Sequence, residues 1–246
     1  MKRTNWYSLL GVSLVAWSFI VYFIQVRAFG RTADTFFYML QDLAFVPIQV
    51  LLVTLIISGL LDRKEKRARL EKLNMVMGTF FSEVGTKLLS YFSNSDPELH
   101  NVRSELIVSN EWSEPKFGSM SKRIKSYEYG IDIRKMSLDD LRSFLNEKKD
   151  FLLRLLENPN LLEHEFFTEL LRAVFHLMEE LVNREDIRQL PDSDYRHLAG
   201  DIKRAYSLLV YQWLDYMKHL KDNYPYLFSL AMRTNPFDQN ASPIVK

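Results

Sequence analysis

Apolar and polar positions fall into two regimes along this chain. Residues 6–26 (WYSLLGVSLVAWSFIVYFIQV) and 43–61 (LAFVPIQVLLVTLIISGLL) contain no Lys, Arg, Asp or Glu. At helical rise, each is long enough to cross a hydrocarbon layer of about 30 Å. From Asp62 onward, apolar residues instead recur every three or four positions, the spacing of helices that bury one face. Sustained strand-like alternation is scarce, and the pattern predicts an all-α fold.

The first regime reads as a transmembrane hairpin, residues 1–61. Its spans are about 6–26 and 38–61, the second entered through the aromatic approach Phe36-Phe37-Tyr38. The first apolar run is long and has no A-x-A-like cleavage site, which favours a span over a signal peptide. Orientation follows from the cations. Lys2 and Arg3 precede the first span, Arg27 and Arg31 lie in the hairpin, and six Lys/Arg crowd residues 62–72. The positive-inside rule places both termini in the cytoplasm of a two-pass protein of the cell (inner) membrane. Arg63, Lys64, Lys66, Arg67 and Arg69 would form a collar at anionic lipid headgroups.

Few polar residues interrupt the spans. Tyr22 and Gln25 match Tyr38 and Asp42 in depth if the two helices run antiparallel, and Gln49 shares the face of Tyr38 and Asp42. One reading is hydrogen bonding across the hairpin with Asp42 at the outer interface. The other makes Asp42 an intramembrane carboxyl in a pore.

The remaining residues, about 185, are enough for one helical domain with a real core. Residues 62–94 predict a basic juxtamembrane helix that continues the second span. Its seam, Leu70, Leu73, Met77, Phe80, Val84, Leu88 and Tyr91, is flanked by the small residues Gly78 and Gly85 and is of coiled-coil or bundle type. Glu83 and Lys87 are one turn apart and predict a surface ion pair. Residues 95–136 predict a short helix opened by Asp96-Pro97 and then a loop with at most one more helix. Residues 137–234 predict a bundle of helices starting at Ser137, Leu161 and Ser193, and 235–246 a flexible tail.

Three segments resemble a group of uncharacterised prokaryotic membrane proteins. They are LEKLNMVMGTFFSEVG (70–85), LLENPNLLEHEFFTELLRAVFHLMEELV (155–182) and HLAGDIKRAYSLLVYQWLDYMKHLKDNYPYLFSLAMRTNPF (197–237). The resemblance implies an N-terminal two-helix hairpin with a helical cytoplasmic domain, and it implies no activity or cofactor.

Composition narrows the chemistry. There is no cysteine, which removes thiolate metal sites, disulfides and Cys nucleophiles. The net charge is +1 and the distal body is mildly acidic, which argues against nucleic acid as a partner. No phosphate-cradling glycine loop, G-x-S-x-G or H-E-x-x-H occurs. Glu169, His176 and Glu180 share a helical face and are the candidate metal ligands, with Arg172 among them as a repelling charge. The same residues also read as a solvated, salt-bridged face. No catalysis and no cofactor are expected. The leading reading is a membrane-anchored scaffold or sensor that self-associates or binds a protein partner through the 70–85 seam. An oligomeric channel built from the hairpin is the alternative, and a metal-dependent membrane enzyme the remote one.

Overall fold

The computed structural model describes residues 2–162 and 164–245. Met1, Glu163 and Lys246, hence the extreme ends of the expected hairpin and tail, lie outside the described residues, as do the side chains of Lys2 and Arg3. The fold is all-α, with no strand among the described residues. The chain divides into two compact units, residues 1–66 and 67–246.

The first unit is a helical hairpin. Helix α1 (Lys2–Phe29) and helix α2 (Thr32–Phe80, which runs on into the second unit) are joined by only Gly30 and Arg31. Gly30 has φ of 61°, a left-handed conformation that closes the end of α1 without the clash a Cβ would bring, and its N–H reaches the Val26 carbonyl at 3.0 Å. Thr35 then caps back, its hydroxyl donating to the Arg31 carbonyl at 3.0 Å. Both helices are long and apolar enough to cross a membrane. The two meet around an apolar cleft lined by Tyr22, Phe23 and Val26 of α1 and Thr35, Phe36 and Met39 of α2.

The second unit has its own core. After α2 the chain makes a π-helical turn, Phe81–Gly85, and continues as α3 (Thr86–Asn94). A π turn takes an extra residue and shifts the buried face. Here it buries neighbouring pairs: Phe80 with Phe81, Val84 with Gly85, Leu88 with Leu89, and Phe92 with Ser93. The expected 70–91 stripe accounts for only the first partner of each of the first three pairs. The same turn replaces the predicted Glu83–Lys87 pair. Glu83 binds Lys148 at 2.9 Å, and the Lys87 ammonium lies 4.2 Å from the centre of the Phe144 ring.

Short 3₁₀ turns, Leu99–Asn101 and Arg103–Leu106, stand where a helix opened by Asp96-Pro97 was expected. Helix α4 (Glu114–Lys125) occupies much of the predicted loop and buries Phe117, Met120 and Ile124. The helix predicted from Ser137 is two helices, α5 (Leu138–Glu147) and α6 (Lys149–Leu156), broken at Lys148. The Ser137 hydroxyl caps the first by accepting from the Asp140 N–H. After the short α7 (Pro159–Leu162) come α8 (Glu165–Val182) and α9 (Asp192–Asn223). Helix α9 is the central element: α3, α4 and α8 pack on it, as does α10 (Pro225–Arg233).

The expected flexible tail is pinned for its first residues. Phe237 is fully buried with its ring 5.0 Å from that of Trp213, and the Asn235 side-chain amide donates to the Leu106 carbonyl at 3.0 Å. An aromatic four residues past the last helix fills a place in the core that periodicity does not reveal.

Candidate functional site

Helices α8 and α9 meet along apolar stripes. On α8 the buried residues include Leu170, Val174, Leu177 and Leu181, and on α9 they include Leu198, Ile202 and Ala205. At the edge of this seam, each helix contributes one histidine and, four residues later, one carboxylate. These are His176 and Glu180 on α8, and His197 and Asp201 on α9. Because i and i+4 share a helical face, the two pairs point at each other across the helix interface.

The geometry is close. His176 Nε2 lies 3.7 Å from both Glu180 Oε1 and Asp201 Oδ2. His197 Nε2 lies 3.3 Å from Asp201 Oδ2 and 3.6 Å from Glu180 Oε2. One ligand atom each from His176, Glu180 and Asp201 falls within a 4.8 Å span. Asp201 is only 5% exposed, and its Oδ2 makes no hydrogen bond although two imidazoles stand beside it. An orphaned buried carboxylate oxygen is costly unless something positive faces it.

Arginines hold the outer oxygens. Arg204 Nη1 lies 3.5 Å from Asp201 Oδ1, while Arg184 donates from Nη1 to Glu180 Oε2 at 2.7 Å and from Nη2 to Asp194 Oδ1 at 2.6 Å. Arg184 also donates to the Glu180 carbonyl. The hydrogen bond from Arg184 is the main reason that the Glu180 and Asp194 carboxyls titrate below their ordinary range. Both stay anionic, and three carboxylates stand here against two guanidiniums. The arrangement can hold a small cation.

Comparison with known proteins places the whole chain. Residues 2–61 match the N-terminal helical domain of MJ1433, and residues 69–233 match the C-terminal helical domain of the uncharacterized protein MJ1433. The chain belongs to the MJ1433 family. The uncharacterized protein MJ1433 of Methanocaldococcus jannaschii is 49% identical over 246 residues, covering 100% of this chain and 98% of that protein. No solved structure matches.

In this MJ1433-family chain, two of the three ligands expected from sequence, His176 and Glu180, come together. Glu169 does not: it is exposed and seven residues before His176, about 10 Å away along the helix axis. Arg172 is also exposed and pairs with neither carboxylate. His197 and Asp201 were the missed partners. The signal for them is the recurrence of His-x-x-x-carboxylate on two consecutive helices.

The other expected sites are distributed as follows. Leu73, Met77, Phe80, Val84 and Gly85 are buried within the second unit, and Gly78 faces the Tyr216 hydroxyl, while Leu70 is exposed. The seam is thus consumed by the chain's own core. In the hairpin, Tyr22 and Gln25 are half-buried, whereas Tyr38, Asp42 and Gln49 are exposed. Among the described residues no hydrogen bond joins the two groups, because α2 meets α1 through Thr35 and Met39 instead. Arg63, Lys64, Lys66, Arg67 and Arg69 are all exposed on α2.

Proposed function

We propose that this MJ1433-family chain is a two-pass membrane anchor carrying a cytoplasmic helical module that senses or scaffolds without catalysis. The observation that carries this reading is the surface of the hairpin. Leu14, Phe23 and Leu55 are 61%, 67% and 59% exposed, and their apolar neighbours along both helices are exposed as well. Soluble monomers rarely present apolar patches beyond a few hundred Å². Lipid is the solvent that suits such a surface. The exposed cations from Arg63 to Arg69 then fall at the cytoplasmic headgroups, where each contributes about 1 kcal/mol next to anionic lipid. Contacts between copies or with a partner use surfaces other than the 70–85 seam, which is enclosed.

The absence of native cysteine makes the test direct. Single cysteines replace Arg31 at the hairpin turn and Ser126 after α4, and intact cells are treated with a membrane-impermeant maleimide. Arg31→Cys should label from outside and Ser126→Cys only after the membrane is opened. Labelling of both from the same side, or a chain that leaves the membrane on carbonate washing, would end this reading.

The exposed face of Tyr38, Asp42 and Gln49 favours a second reading, an oligomeric pore. Ion flux through reconstituted vesicles that changes with Asp42→Asn would support it, and the anchor reading expects that substitution to be silent.

A further inference from the structure

We propose that the α8–α9 edge binds one divalent first-row transition ion of the Zn²⁺ type, with His176, Glu180 and Asp201 as ligands and His197 as the fourth. This rests on the reading of the helical unit as a sensing module, and it names the class of ligand sensed.

Three observations converge on it. The first is spacing. Donors bound to one Zn²⁺ at 2.0–2.1 Å in a tetrahedron lie about 3.4 Å apart. The His197–Asp201 and His176–Asp201 separations, 3.3 and 3.7 Å, and the His176–Glu180 separation, 3.7 Å, are already near that edge length. The second is the orphaned oxygen. Asp201 Oδ2 is buried, carries no hydrogen bond and stands beside both imidazoles, so an ion placed among them would give this oxygen the partner it lacks.

The third is the outer layer. Ligating carboxylates in metal sites are themselves hydrogen-bonded, which fixes the oxygen offered to the metal. Here Arg204 stands at Asp201 Oδ1 and Arg184 binds Glu180 Oε2, which leaves Asp201 Oδ2 turned to both histidines and Glu180 Oε1 to His176. Two imidazoles with two carboxylates suit Zn²⁺, Fe²⁺ or Mn²⁺, whereas Mg²⁺ and Ca²⁺ take oxygen ligands. The charge of Arg172, an objection from sequence, stands away from the site, since that side chain is exposed and unpaired with the cluster's carboxylates.

The test uses the full chain, purified in detergent, stripped with a chelator and titrated with Zn²⁺ against a chromophoric competitor. One ion per chain is expected, with a rise in melting temperature and no displacement by equimolar Mg²⁺. Asp201→Asn and His176→Ala should each weaken Zn²⁺ by at least 10–100-fold, the loss caused even by removing an outer-layer partner. His197→Ala, at a site 53% exposed and tolerant of truncation, should weaken it while leaving the helical circular dichroism unchanged. Glu169→Gln should bind as the wild type does. Equal Zn²⁺ uptake by wild type and Asp201→Asn, or none by either, overturns the site. The cysteine-labelling outcome is independent of this result, so failure of the anchor and failure of the metal site are separable.

Discussion

Asp96 was expected to open a helix. Instead its Oδ1 accepts from the Glu98 N–H at 3.0 Å and its Oδ2 from the Tyr127 hydroxyl at 3.1 Å, and 3₁₀ turns follow. Burial outweighs these bonds and pushes its carboxyl above the ordinary range. A raised folded-state pKa gives stability that is fully present below the unfolded value of about 3.9 and is lost as pH rises through the folded value. Asp96→Asn keeps an acceptor for Glu98 and offers a donor to the Tyr127 oxygen. Its melting temperature in detergent should therefore decline less than the wild type's as pH rises from 4 towards neutrality. Parallel curves for the two proteins would refute this. The α8–α9 cluster teaches the same lesson about single positions. His176 and Glu180 were legible because i and i+4 fix a shared face. His197 and Asp201 were not, because spacing says which side chains share a face and never which two faces meet.

Among the elements, the starts and ends of α8 and α9 lie close to expectation because each carries a long apolar stripe with clear stops. Helix α4 is faint in the sequence: only Phe117, Met120 and Ile124 mark its buried face, with Pro115 before them, Gly118 among them and Gly130 after. The π turn was invisible for another reason, since one inserted residue breaks no pattern and only doubles the buried positions. Gly85 is what makes that turn possible. A Cβ there would lie 2.6 Å from Phe81 Cδ1 and 2.9 Å from Phe80 Cε1, and both rings are fully enclosed. Gly85→Ala gains up to about 1 kcal/mol of helix propensity but incurs overpacking of about 1–3 kcal/mol, so a net loss of stability is expected. Gly78→Ala is the contrast. Its Cβ would come 3.2 Å from the hydroxyl of the half-buried Tyr216, which has room to shift, and its melting temperature should stay near or above that of the wild type. If Gly85→Ala melts no lower than Gly78→Ala, the packing account of the turn fails.

The second unit as a whole is drawn together by contacts between its beginning and its end. Phe81 stacks on Tyr216 with ring centres 5.2 Å apart, the Asn74 amide meets His219 at 3.0 Å, and the Ser93 hydroxyl donates to the Pro236 carbonyl. Phe237 completes this closure. Its replacement by Ala should cost about 3–5 kcal/mol, as expected for emptying a fully buried aromatic site, and is measurable by thermal or urea unfolding. A loss below about 1 kcal/mol would mean that the tail is ornamental.

Such end-to-end closure also sets an order in time. Ser93 and Pro236 are separated by 143 positions. At a synthesis rate of 5–20 residues per second, the ribosome needs roughly 7–30 s to make the second after the first. Within that interval Phe80, Phe92 and Phe81 wait for Phe167, Tyr206 and Tyr216, the rings that will meet them. The helical unit therefore keeps apolar surface uncovered until α9 has been made, and the closure of Ser93 onto Pro236 comes after it.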